Sequence, residues 1–385
     1  KEKNLNGHPK MKVEFFKHNI DSADIERVSQ VLQSIFLTTG QVTAEFEHSL
    51  AEYLNTEHVI GVTSCTAALH LSLLAYNIGP GAEVITAPLT FCATANAILH
   101  AGATPIFVDV EEETGNLNAE LVEKAITDKT KAIIPVHLYG QMVDMKALRK
   151  LADRYQLVLI EDAAHCIEGE REGIKVGQLG DAACFSFYAT KNITSGEGGA
   201  ISTHHLEKAD LLKQLRLHGI DKSAADRYTK KFQQYDMPIL GWKYNMDNIQ
   251  AALLVGQLKR IDTLWQKKHE IYQLYENAFQ NSPHIKLLKK VPNTRHAYHL
   301  FTILVAQEKR DSLLWKLQEQ GIGVAVNYYP VHLLHYYREH FGFKVGDFPI
   351  TEEIGARTLA LPFYTQLEEK ELEYVIETVS KTIKT

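Results

Sequence analysis

Three short segments put reactive or ligand-holding side chains directly after apolar runs. The first, Gly61-Val62-Thr63-Ser64-Cys65-Thr66-Ala67-Ala68, sets small and hydroxyl residues between a β-type run and a helical one. Free backbone N–H groups and the positive end of a helix favour an anion at such a turn. The spacing matches neither a nucleoside-triphosphate loop nor the Gly-x-Gly-x-x-Gly of a dinucleotide fold, so a single phosphate fits it better. An ordinary Ser/Thr helix cap reads as well from these residues alone. The second segment, Leu157-Val158-Leu159-Ile160-Glu161-Asp162-Ala163-Ala164-His165, ends an apolar run in carboxylates. Burying Asp162 costs solvation unless a positive charge meets it; the alternative is a capping or ion-paired Asp at a strand-to-helix turn. The third runs from Asp181 through Phe185-Ser186-Phe187-Tyr188-Ala189-Thr190-Lys191-Asn192 to Ser195-Gly196-Glu197-Gly198-Gly199. To act as a nucleophile Lys191 must be neutral, which requires desolvation or a nearby cation to pull its pKa below about 10.4. Taken singly, a lysine is ordinarily a solvated surface charge.

The elements that must position these residues follow from periodicity. Val59–Val62, Glu83–Thr86, Thr104–Val108, Lys131–Val136 and Leu157–Ile160 read as strands. They alternate with helical patterns over Thr66–Tyr76, Thr90–His100, Asn118–Ile126 and Met145–Tyr155. This alternation predicts an α/β fold with a mainly parallel sheet flanked by helices, whose ligands gather beyond the carboxyl ends of the strands. A helix over Ile20–Ser34, capped by Asp21 or Ser22, precedes the first strand. After Gly256 a long helix from about Gln257 to Phe279 leads to strands at His299–Val305 and Ile322–Val326 and helices at Arg310–Gln320 and Glu368–Lys381. The expected division is residues 1–256, an arm and large domain, and 257–385, a smaller C-terminal α/β domain.

The 385 residues carry 41 basic and 47 acidic side chains and 45% hydrophobic residues, with no charged tail. That balance points away from nucleic acid, so an anionic substrate must be held by local groups. Cys65, Cys92, Cys166 and Cys184 stand singly without metal-ligand spacing, which predicts reduced thiols, no metal site and a cytoplasmic protein. No apolar run is long enough for a membrane span, and Lys1–Lys10 is polar rather than signal-like. No internal repeat is present.

A protonated pyridine nitrogen would supply the charge that Asp162 lacks, the arrangement by which proteins make pyridoxal phosphate an electron sink. Further segments point the same way: Phe36-Leu37-Thr38-Thr39-Gly40, Thr90-Phe91-Cys92-Ala93-Thr94-Ala95-Asn96-Ala97-Ile98, His137-Leu138-Tyr139-Gly140, Tyr244-Asn245-Met246 and Leu361-Pro362. With the three segments above, in this order, the chain resembles the fold-type I pyridoxal-phosphate-dependent transferases, specifically the DegT/DnrJ/EryC1/StrS family of nucleotide-sugar aminotransferases, from about Phe36 to Pro362. The resemblance implies that Lys191 holds pyridoxal phosphate covalently and shuttles protons, with pyridoxamine phosphate as the intermediate form, and that Asp162 pairs with the pyridine nitrogen. It also implies that Cys65, Thr66 and Ser186 hold the phosphate, that Phe91 stacks on the ring and that His165, where relatives often carry Gln, lies near the ring hydroxyl. Asn245 matches a segment that reaches the phosphate of a neighbouring subunit, which implies a homodimer; without the resemblance it reads as a turn or cap residue.

The implied reaction takes an amino group from an amino acid, L-glutamate by expectation, to a keto-sugar nucleotide, at C4 of a UDP- or dTDP-linked 4-keto-6-deoxyhexose. Rival readings are amination at C3, a pyridoxamine-dependent sugar dehydratase, in which histidine replaces the lysine, and a non-catalytic regulator on the same fold. Tyr328-Tyr329-Pro330-Val331-His332 resembles the family's segment near the sugar. Tyr228, after Leu217-His218-Gly219, is either a substrate neighbour or a surface side chain.

Overall fold

The computed structural model describes residues 11–222 and 234–384, so Tyr228 lies outside the described residues. Helix α1 (Ser22–Leu32) starts where Asp21 accepts from the backbone N–H of Ala23 and Asp24, while Asp24 bonds back to the Asp21 N–H. Of the two expected caps Asp21 is therefore the one used, and the reciprocal pair satisfies donors that the first turn leaves free. After α2 (Gln41–Leu54) come β1 (His58–Val62), α3 (Cys65–Ala75), β2 (Glu83–Thr86), α4 (Ala93–His100), β3 (Thr104–Phe107), α5 (Ala119–Ala125), β4 (Thr130–Ile134), α6 (Met145–Tyr155) and β5 (Val158–Asp162). A short hairpin, β6 (Glu170–Arg171) and β7 (Ile174–Lys175), leads to β8 (Ala182–Ser186), β9 (Gly199–Thr203) and α7 (Leu206–Leu215).

These strands form a seven-stranded sheet ordered β1-β9-β8-β5-β4-β2-β3. Every neighbouring pair from β8 to β3 is parallel, whereas β9 runs antiparallel to both β1 and β8. Consequently β1, β2, β4, β5 and β8 all deliver their carboxyl ends to one edge. Helix α3 is buried along most of its length, including Leu69, Leu71 and Leu73, because it packs on the sheet and is covered by α4 and α7. Each such leucine contributes about 2 kcal/mol of transfer free energy. The other face of the sheet is covered by a second apolar cluster that includes Phe46, Leu148, Leu159 and Leu254.

The remaining elements are α8 (Asn248–Lys259), α9 (Ile261–Phe279), β10 (Thr294–Arg295), β11 (Phe301–Leu304), α10 (Gln307–Glu319), α11 (His335–Phe341), α12 (Pro349–Arg357), β12 (Thr358–Leu361) and α13 (Glu369–Thr382). A separate core of Tyr275, Phe279, Phe301, Leu317 and Val375 gathers between them. Two expectations are corrected. The helix expected over Gln257–Phe279 is two helices that meet at Arg260, whose guanidinium turns aside to bind the Asp24 carboxylate at 2.5 and 3.1 Å and the Asn19 carbonyl at 2.7 Å. Ile322–Val326 is not a strand and makes only single bridges, Val13 to Ile322 and Ala325 to Ala360. Here the N-terminal arm lies so close that a Cβ on Gly323 would stand 2.5 Å from the Phe15 nitrogen, which leaves no room for a regular ladder. Among the described residues no helix is long and apolar enough to cross a membrane.

Candidate active site

A cavity of about 500 Å³ opens at the shared carboxyl edge of the sheet. Its walls come from residues at or just beyond the ends of β1 (Ser64–Thr66), β2 (Thr90, Phe91), β4 (Val136), β5 (Asp162, Ala164, His165) and β8 (Ser186, Tyr188, Thr190, Lys191). Crossover connections bring these sequence-distant positions together, as expected at the edge of a parallel sheet.

Asp162 and Glu161 are adjacent and both buried, yet strand alternation sends them to opposite faces. Glu161 Oε2 is 2.8 Å from His137 Nε2, and the carboxylate accepts from the N–H of Gly177 at 3.0 Å and Gly180 at 2.8 Å. Since the Val143 N–H donates to His137 Nδ1, the imidazole proton sits on Nε2 and points at Glu161. Asp162 faces the cavity instead. Its Oδ2 accepts from Thr94 Oγ1 at 2.7 Å, and its Oδ1 accepts from the Ala164 N–H at 3.2 Å. Burial pushes the Asp162 carboxyl above its ordinary pKa, and the Thr94 bond and the nearby Lys191 only partly offset this. A carboxylate in that state favours a cation beside it.

Lys191 follows the turn Tyr188–Lys191, closed by its own N–H to the Tyr188 carbonyl at 2.9 Å. Its amine is pulled down to about 8 by burial, against the opposing effects of Cys65 and Asp162. Among the described residues its Nζ makes no hydrogen bond or ion pair. That is the condition a nucleophilic amine requires.

Ser64, not Cys65 or Thr66, caps α3, its hydroxyl accepting from the Ala67 N–H at 3.1 Å. The backbone N–H groups of Cys65 and Thr66 are the first two of the helix and have no intrahelical acceptor. The turn is thus both a Ser cap and an anion site, and the two readings do not compete. Gly199 makes the close fit possible: a Cβ there would stand 2.4 Å from the Ser64 carbonyl carbon. Ser186 adds a hydroxyl, and Phe91, 58% exposed, presents its ring at the cavity wall.

Seven of the expected residues, Cys65, Thr66, Phe91, Asp162, His165, Ser186 and Lys191, therefore line one cavity. Asn245 does not. Its amide donates to Thr39 Oγ1 at 2.6 Å and accepts from Lys243 Nζ at 2.5 Å, on a bridge between its backbone and Val62. Three residues to which the sequence assigned no role also line the wall: Thr94, His299, and Tyr328 of the segment expected near the sugar. Thr94 stands one helical turn after Thr90, whose hydroxyl is 2.9 Å away, and that spacing could have flagged it. His299 and Tyr328 belong to the C-terminal part of the chain, and no local pattern joins them to the strand ends.

Behind Lys191 lies a buried polar network. Asn192 Nδ2 donates to both Glu168 oxygens at 2.9 Å and to the Ala297 carbonyl at 2.7 Å, while Lys268 Nζ donates to Asn192 Oδ1 at 3.1 Å and to the His299 carbonyl at 3.2 Å. Burial pushes the Glu168 carboxyl up and the Lys268 amine down, and the attraction between the two only partly offsets this.

A family model, the DegT/DnrJ/EryC1/StrS aminotransferase family, matches residues 18–380. The chain belongs to the DegT/DnrJ/EryC1/StrS aminotransferase family. It is 41% identical over 371 residues, 95% of each chain, to the spore coat polysaccharide biosynthesis protein SpsC of Bacillus subtilis. It is 36% identical over 375 residues, 94% of this chain and 96% of the other, to the UDP-4-amino-4-deoxy-L-arabinose–oxoglutarate aminotransferase of Shewanella sediminis. A putative sugar aminotransferase of Streptococcus pneumoniae, solved in its PMP form, superposes with a TM-score of 0.92 at 32% identity, covering 97% of this chain and 99% of that one. The α/β architecture is that of the fold-type I pyridoxal-phosphate-dependent transferases.

Proposed function

We propose that the chain is a pyridoxal-phosphate-dependent aminotransferase that moves an amino group from L-glutamate to a keto-sugar nucleotide, at C4 of a UDP- or dTDP-linked 4-keto-6-deoxyhexose. The observation that carries this reading is the pairing, in one cavity, of an undercompensated buried carboxylate with a depressed lysine that has no ion-pair partner among the described residues, Asp162 with Lys191. Pyridoxal phosphate supplies an electron sink for carbanion charge and carries the amino group between donor and acceptor.

The residues fit that group. Asp162 supplies the negative charge that keeps a pyridine nitrogen protonated, and Thr94 and the Ala164 N–H hold the carboxylate still. The free N–H groups of Cys65 and Thr66, with the Ser186 hydroxyl, suit a phosphate at the start of α3. Phe91 would cover one face of the ring, and His165 would lie toward the ring hydroxyl. Lys191 would anchor the cofactor and would take and return the proton at the carbon that loses or gains the amine, a role suited to an amine with a pKa near the working pH.

Choice of C4, of a UDP carrier and of glutamate is supported by the name of the Shewanella relative, which specifies UDP, a 4-amino sugar and oxoglutarate. A homodimer in which Asn245 reaches the partner's phosphate is supported by exposed apolar side chains on nearby chain, Ile35 at 94% and Leu37 at 42%. A backbone bond from the Asn248 N–H to the Leu37 carbonyl ties that segment to the Asn245 turn. Borohydride treatment of the purified yellow protein, followed by peptide mapping, tests the assignment. The label is expected on Lys191, and a label on another lysine would refute it.

A further inference from the structure

Asn192 follows Lys191 directly and is buried, with both polar atoms of its side chain in use. One end of the amide, Nδ2, faces only oxygens: both carboxylate oxygens of Glu168 at 2.9 Å and the Ala297 carbonyl at 2.7 Å. The other end, Oδ1, faces Lys268 Nζ at 3.1 Å. A carbonyl only accepts, whatever the protonation of Glu168 and Lys268, so turning the amide over would set Oδ1 against the Ala297 oxygen. The two ends are therefore not interchangeable.

The backbone carbonyl of Asn192 is taken as well. It accepts from Asn19 Nδ2 at 2.8 Å, and the Asn19 carbonyl in turn accepts from Arg260 Nη2 at 2.7 Å. Two residues farther on, Gln257 brackets Thr194, accepting from its N–H at 3.0 Å and donating to its carbonyl at 2.7 Å. The stretch beyond Asn192 thus has an anchor of its own, and the Asn192 bonds bear on the Lys191 turn itself. Their far ends matter too. Glu168 lies on the stretch after β5 that begins with Asp162, and Ala297 stands two residues before His299, which lines the cavity. Movement of the Lys191 turn against the Asp162 stretch is what these bonds oppose, and a displacement of about 1 Å at a reacting group can cost on the order of a hundredfold in rate.

We infer that Asn192 is a positioning residue: the donor end of its amide locks the turn that carries Lys191 to the segment that carries Asp162, and so fixes where the amine stands relative to that carboxylate. The lock stands on this chain's geometry alone, whereas its bearing on cofactor capture rests on the pyridoxal phosphate reading.

Asn192→Asp keeps the acceptor for Lys268 and reverses the donor end, setting a carboxylate against Glu168 and the Ala297 carbonyl. Stopped-flow absorbance should show the stripped chain capturing pyridoxal phosphate about tenfold more slowly. Equilibrium dialysis should find pyridoxamine phosphate bound within about twofold of wild type, since that form makes no bond to Lys191. Adding Glu168→Gln supplies a donor opposite the new carboxylate and should recover most of the lost rate. Unchanged capture in Asn192→Asp, or no recovery in the double variant, would overturn the inference. So would an equal loss of pyridoxamine phosphate binding, the mark of general damage to the cavity.

Urea titration of the same chains reads the lock without any cofactor. Asn192→Asp should lower the midpoint, and Glu168→Gln should raise it again in that background; additive losses would refute the lock. If Asn192→Asp does not fold, Asn192→Ser removes the amide without adding charge and should show the same split between capture and binding. Capture at the wild-type rate in that variant would refute the inference. If the wild-type chain takes up neither pyridoxal nor pyridoxamine phosphate, the positioning role falls with the proposed function, while the urea midpoints still decide the lock.

Discussion

Two lysines, Lys191 half-buried and Lys268 buried, stand close to the same asparagine and meet opposite fates. Lys191, one residue before Asn192, opens onto the cavity with no ion-pair partner among the described residues, and its amine is depressed to about 8. Lys268 is enclosed by Asn192 Oδ1, the His299 carbonyl and the face of Phe363 at 4.6 Å, with the Glu168 carboxylate on the far side of Asn192. The carboxylates divide in the same way. Glu161 is satisfied by His137 and two glycine N–H groups, whereas Asp162 keeps a deficit. Burial alone therefore does not mark a functional group; a buried charge left short of partners beside open space does.

The largest effect that sharpens this contrast is on Lys191. Lys191→Ala should abolish turnover yet keep the fold and bind pyridoxamine phosphate, because binding and proton transfer fall to different residues. Retained wild-type turnover in a discontinuous 2-oxoglutarate assay would break the comparison. Lys268→Met should do the reverse, lowering unfolding free energy by about 3 kcal/mol, since Glu168 and Asn192 would be left buried without their cation. Denaturant titration reads that loss, and a stability equal to wild type would show that Lys268 does not support the network.

Asp162→Ala should weaken cofactor binding on the order of a hundredfold, the scale of removing one partner from a desolvated charge pair. Equilibrium dialysis with pyridoxal phosphate measures it. The pH dependence is smaller and has a definite sign. Because the folded amine is depressed, the neutral, reactive form of Lys191 is lost as pH falls through about 8. The rate of pyridoxal phosphate capture by the stripped chain should rise with pH and level off above about 8, and stopped-flow absorbance that instead follows a midpoint near that of free lysine would contradict the desolvation argument. The smallest effect is Ser64→Ala, which should cost about 1 kcal/mol through loss of the α3 cap and loosen the phosphate turn only modestly.

Much of this site was legible because it is assembled from strand ends. Each of Thr66, Asp162, Ser186 and Lys191 sits just after an apolar run, and a parallel sheet brings such positions to one edge wherever they fall in sequence. The C-terminal wall was not legible for the opposite reason. Tyr328 is placed by the Asn327 carbonyl, which Tyr139 and Thr358 hold from distant parts of the chain, and the backbone of His299 is itself held by the Tyr139 carbonyl and Lys268. No period of two or 3.6 encodes those contacts. The break at Arg260 was hidden as well, because the apolar spacing continues across it and the distant Asp24 carboxylate and Asn19 carbonyl turn the arginine aside. Between Glu161 and Asp162 the sequence offered no distinction beyond the residue types; the sheet decided which one reaches the cavity.

The most direct test of the central claim is the absorbance spectrum of the purified protein before and after addition of L-glutamate without any sugar. Loss of the yellow band together with release of 2-oxoglutarate is the predicted result. A yellow band that glutamate leaves unchanged would contradict glutamate as donor, and a colourless protein that takes up no added pyridoxal phosphate would contradict the account of Lys191 and Asp162 as a cofactor site.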